Sequence, residues 1–118
     1  MPKFITNDFK GKELYFDLRP EGSKDPEGFW AMPCFESDRK AIQQEMVAKG
    51  QGERPVWIEM LKRHITKWQG FKDIMGKDIP CTPESIDELC ESDTHVMIGI
   101  HSLLVDAANC GQVLAEKN

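Results

Sequence analysis

The chain is 118 residues long, 40% apolar and 30% charged, and carries a net charge of −5 at neutral pH. This length fits a single domain, 1–118, with the composition of a globular fold. An acidic balance argues against a nucleic-acid partner, which would need a basic face. A membrane span needs about 20 apolar residues. The longest nearly apolar run, 96–105, is broken by His101 and Ser102, so no membrane partner is expected.

Residues 1–12 are polar and predict a flexible N-terminal segment with Phe4 and Phe9 as anchors. They lack the apolar core of a signal peptide. Residues 13–19 alternate, with Leu14, Phe16 and Leu18 on one side and Tyr15, Asp17 and Arg19 on the other. Period two with aromatic residues predicts a half-buried strand. Residues 20–28 are turn chemistry, and 29–35 predict a second strand, antiparallel to the first. Pro33 predicts an edge position for it, because proline cannot donate to the ladder.

Ser37 predicts the cap of a helix over 37–49, with a narrow stripe of Ala41, Ile42 and Met46. Residues 50–54 predict a loop. Pro55 suits the first turn of a second helix over 57–68, whose stripe is Trp57, Ile58, Leu61, Ile65 and Trp68. Residues 70–80 predict a short hairpin turning at Met75 and Gly76. Thr82 then caps a short helix, Pro83 takes its first position, and Cys81 and Ile86 fall where a hydrophobic staple sits. A long final helix is expected over 94–116. Together these elements predict an α+β fold, with a small antiparallel sheet in the N-terminal half and a mainly helical C-terminal half.

The four cysteines, Cys34, Cys81, Cys90 and Cys110, form no Cys-x-x-Cys pair, and the three histidines, His64, His95 and His101, show no zinc-site spacing. The cysteines are expected as small buried hydrophobes in a reducing cytoplasm. A zinc site built from scattered ligands is the alternative. No nucleophile elbow, phosphate loop or zinc-protease motif occurs, so no catalytic, cofactor or metal residue is assigned and no enzyme is expected.

Charge is unevenly placed. Residues 84–118 hold one basic and seven acidic side chains, five of the acids within 84–93. Glu84 and Asp93 suit helix starts, whereas Glu88 and Glu91 fall near a helix C-terminus, where cations are favoured. These two acids mark a candidate docking patch for a basic partner. Lys62, Arg63 and Lys67 read as a solvated stripe.

In the final helix Met97, Ile100, Leu104 and Leu114 form one apolar stripe, while Val96, Ile98, Leu103 and Val105 fall on other faces. A helix apolar nearly all round needs cover all round. Either the other helices sheathe it, or its second face meets a partner or another copy of the chain. Met97, Ile98, Leu103 and Val105 are the candidate partner-binding residues there, joined by Glu88 and Glu91.

One segment of 22 residues, 68–89, resembles the core of small tail-assembly chaperones of tailed bacteriophages and prophages. The matching positions are Trp68, Gly70, Asp73, Gly76, Ile79, Pro80, Thr82, Glu84, Ile86 and Leu89. It departs at Lys67, where glycine is often seen, at Met75, usually acidic, and at Cys81, commonly aromatic. The resemblance implies a non-enzymatic assembly factor in the bacterial host cytoplasm. Such a protein binds phage tail proteins, in particular the tape-measure protein, and shields its helical segments while the tail forms. It uses no cofactor. The alternative is a small phage structural component, a minor tail or head-tail connector protein, that stays in the particle.

Overall fold

The computed structural model describes residues 6–50 and 55–106, with side chains to residue 104. A 3-10 turn at Asn7–Phe9 precedes β1 (Leu14–Asp17) and β2 (Gly28–Ala31). Then come α1 (Glu36–Ala48), α2 (Val56–His64), β3 (Ile65–Gln69), α3 (Pro83–Ser92) and α4 (Thr94–Asp106). The fold is α+β. Its three-stranded antiparallel sheet has the order β1-β2-β3, and the helices α1 to α4 supply the rest. Within the segment expected to be flexible, Phe9 packs against the core. No described helix is long and apolar enough to cross a membrane.

The inner face of the sheet carries Leu14, Phe16, Phe29, Ala31 and Ile65, all buried. Phe16 and Phe29 are paired across strands and stack at 4.8 Å. The outer face carries Tyr15 and Trp30, whose rings meet at 4.6 Å. Lys67 lies 4.7 Å over the Trp30 ring. Gly28 permits this arrangement: a Cβ there would lie 2.4 Å from the Phe16 carbonyl oxygen and from the Tyr15 hydroxyl.

Three expectations are corrected. The strand predicted over 29–35 ends at Ala31 and is the central one, so Pro33 lies beyond it and interrupts no ladder. The helix expected from Ser37 starts at Glu36 with Phe35 as its N-cap. Asp38 holds that end by accepting the Phe35 N–H at 2.9 Å, while Ser37 sits inside the first turn.

The third correction matters most. The helix predicted over 57–68 stops at His64, and Ile65–Gln69 pairs with β2. Ile65 faces Ala31, Lys67 faces Trp30 and Trp68 faces Phe29, so Thr66 is an extra residue at a β-bulge. A bulge turns two residues three apart to the same face of a strand. Ile65 and Trp68 therefore both reach the core, and their spacing imitates a helical stripe. Ile65, Thr66 and Trp68 are strand-formers, and the open edge of β2 supplies the hydrogen bonds.

The expected hairpin and the start of α3 are both present. Gly70 takes φ +79°, and a Cβ there would lie 2.5 Å from the Pro26 carbonyl oxygen. The hairpin arms meet through Ile79 N–H to Phe71 O (2.8 Å), with Gly76 at the turn (φ +81°). Asp73 Oδ1 fastens the turn by accepting from the N–H groups of Met75 and Lys77. The Thr82 hydroxyl accepts the Ser85 N–H at 3.0 Å, and Pro83 is the first residue of α3. Ile86 and Cys90 are buried, and Leu89 is half-buried. Helix α4 starts at Thr94 as expected; the continuation expected to residue 116 lies outside the described residues.

These contacts rank three substitutions. Thr82→Ala should cost about 1 kcal/mol of unfolding free energy, the usual worth of a cap. Gly76→Ala meets open space and should cost about 1 kcal/mol, the lower end for a left-handed residue. Gly70→Ala adds a backbone collision to the same strain and should cost about 3 kcal/mol. Urea denaturation of the three variants checks the order. Equal losses at Gly70 and Gly76 would contradict the packing of residue 70 against Pro26.

Candidate functional site

Helix α4 packs on α2 and α3. Met97, Ile100 and Leu104, at spacings of three and four, form its buried face. Met97 is 1% exposed, so it is a core residue and no exposed contact; it reaches the partner face only as part of the groove lining. Leu103 is half-buried against the core. Val96 and Ile98 remain in water, 61% and 43% exposed. Val105 lies in α4 by its backbone, and its side chain is outside the described residues. The described helix is thus covered on one face only, with a smaller exposed apolar area than its sequence led us to expect.

Val96 borders a groove of about 280 Å³ between the hairpin arm and the α3–α4 junction, whereas Ile98, two residues on, falls on the opposite flank of the helix. Phe71, Ile79, Leu89 and Val96 supply apolar walls, Leu18, Met97 and Ile100 also line it, and Glu27, Asp93 and Lys72 are its charged residues. Past Ile79 and Leu89 the surface continues to Glu88 and to Ile74, which is fully exposed at the hairpin tip beside Met75. Glu91 is exposed on α3 but does not line the groove. Sequence reasoning placed the hairpin but not its role as a groove wall. The available signal was the apolar pair Ile74-Met75 beside the turn glycine, where polar residues are usual.

The hairpin arm is held firmly from below. Trp68 donates its indole N–H to Ile79 O at 2.7 Å and stacks on Phe71 at 4.5 Å. Lys72 and Asp78 close the arms with an ion pair at 2.8 Å. Across the fold, the cations read as one stripe are each engaged. Lys62 bonds Asp87 at 2.9 Å and ties α2 to α3. Arg63 reaches Glu45 on α1 and Glu59 on its own helix. Lys67 covers Trp30.

A second cluster has members that the sequence did not single out together. Cys34, Asp38 and His64 bring a thiol, a carboxylate and an imidazole within 4.8 Å of one another. Cys34 follows β2, Asp38 lies in the first turn of α1 and His64 ends α2. Their scattered positions explain why spacing did not reveal them. Burial, then the charges of Asp38 and Glu36, push the Cys34 thiol up to about 12. Burial also raises the Cys81 thiol. A thiol held protonated is a poor nucleophile.

No protein-family model, curated protein or solved structure matches this chain. The class that fold and site define is a small α+β domain with a hairpin-walled apolar groove.

Alkylation of the native protein should modify half-buried Cys81 ahead of buried Cys34 and Cys90, whose reaction waits on local unfolding. Mass spectrometry of a time course reads the order. First modification at Cys34 would reveal an activated thiolate.

Proposed function

We propose that this chain is a non-enzymatic binding protein of the tail-assembly chaperone kind. Its groove receives an amphipathic helix of a phage tail protein, the tape-measure protein in the first instance. The observation that carries the reading is the continuity of groove and exposed apolar tip: Phe71, Ile79, Leu89 and Val96 line the groove, and past Ile79 and Leu89 the surface leads outward to Ile74. Helix-in-groove recognition needs such a lining and no catalytic side chain. The acids Glu88 and Asp93 bordering it favour a partner helix with Lys or Arg beside its apolar stripe. The resemblance over 68–89 falls on the residues that build and brace this groove.

Each large side chain buried by a partner contributes about 1.5–3 kcal/mol. Replacing Val96 and Ile74 together by Asp should therefore weaken binding at least about tenfold, with little change in stability because both are exposed. Co-expression with a phage tape-measure protein, followed by affinity capture and binding titration, reads both effects. Recovery of the tape-measure protein by the native chain and its loss in the double variant support the reading. Capture of no tail protein, or equal capture by both chains, overturns it. Recovery of this chain from purified virions would favour the structural-component alternative.

A further inference from the structure

We propose that Cys34, Asp38 and His64 form a binding site for a thiophilic divalent metal ion, with Zn2+ as its natural occupant. The proposal stands independently of the groove. The three donor atoms lie within 4.8 Å of one another. In a tetrahedral zinc site with bonds of about 2.0–2.3 Å, donor atoms sit roughly 3.4–3.6 Å apart. Closing the cluster requires side-chain movements of about 1 Å by this measure. His64 Nε2 and Asp38 Oδ2 are already near that spacing, at 3.9 Å.

The histidine is oriented as a ligand. Its Nδ1 lies 2.9 Å from Met60 O, and a carbonyl oxygen can only accept. Nδ1 therefore carries a proton, which leaves Nε2 as the nitrogen beside the Asp38 carboxylate, at 3.9 Å. A nitrogen lone pair and a carboxylate oxygen at this spacing are donors that one metal ion can bridge. A backbone carbonyl holding the far nitrogen is the usual outer support of a metal-bound histidine.

The other two donors are held by backbone hydrogen bonds. Met32 donates its N–H to His64 O at 2.9 Å, which brings the segment carrying Cys34 against the end of α2. Asp38 Oδ2 is fixed by the Phe35 N–H. Cys34 is buried, whereas the Asp38 side chain is 29% exposed and leaves an approach for the ion and for a water as fourth ligand. Thiolate, imidazole and carboxylate are donors that zinc accepts and that magnesium and calcium as a set do not. On binding, the Cys34 S–H bond breaks, its proton passes to solvent and the sulfur lone pair bonds the ion. The metal would then staple the start of α1 to the α2–β3 junction.

Titration of the metal-free full chain with Co2+, then Zn2+, tests the site. One equivalent of Co2+ should give a thiolate-to-cobalt charge-transfer absorption, which Zn2+ abolishes by displacement. Zn2+ should also raise Tm. Asp38→Asn keeps an oxygen for the Phe35 N–H and should still fold, yet bind at least about tenfold more weakly. Cys34→Ser should lose the charge-transfer band, while Cys81→Ser and Cys110→Ser keep it. A folded native chain without the band, a band that survives Cys34→Ser, or unchanged affinity in Asp38→Asn would overturn the proposal.

Discussion

The junction of α2 and β3 is the constraint on which the rest of the molecule depends. Between His64 and Ile65 the backbone leaves the helix and enters the sheet within one residue. The His64 carbonyl, released from the helix, accepts the Met32 N–H and draws the segment after β2 alongside. The bulge at Thr66 then turns both Ile65 and Trp68 inward. On one side of the junction this gathers Cys34, Asp38 and His64. On the other it sets the Trp68 indole under Ile79 and against Phe71, which fixes the hairpin as a groove wall. Both candidate sites therefore follow from one switch between secondary structures.

The segment 68–89 reads differently once it is placed in space. Gly70 is glycine because of a left-handed backbone pressed on the Pro26 carbonyl. Asp73 and Gly76 make the hairpin turn, Thr82 caps α3, and Ile86 fills the core. Most of the matching residues thus have a structural task. What the motif builds is a rigid wall with an apolar tip. Such a wall suits a surface that binds another polypeptide, because a pre-formed groove loses less entropy on binding.

Much of the architecture was legible in local signals. The alternation at Leu14 and Phe16, the Thr82-Pro83 start and the Gly76 turn each have a short-range cause, and each holds. The α2–β3 switch was not legible, because a bulged strand and a helix both bring residues three apart to one face. Only the open edge of β2, a partner distant in sequence, decides between them. Pro33 misled for a related reason: its effect on a ladder depends on where the strand ends. For the candidate site, the exposure of Ile98, Glu88 and Glu91 fits their expected place on the surface, whereas Met97 took the core side of α4. A residue on an all-apolar helix carries no local mark of which face its neighbours will cover.

The most direct measurement is an NMR analysis of residues 60–70 in the native chain. The expected result is a protected Met32 amide, cross-strand contacts between Phe29 and Trp68, and extended coupling from Ile65 onward. Continuous helical contacts from Leu61 through Trp68, with no contact to Phe29, would contradict it and dissolve both sites at once.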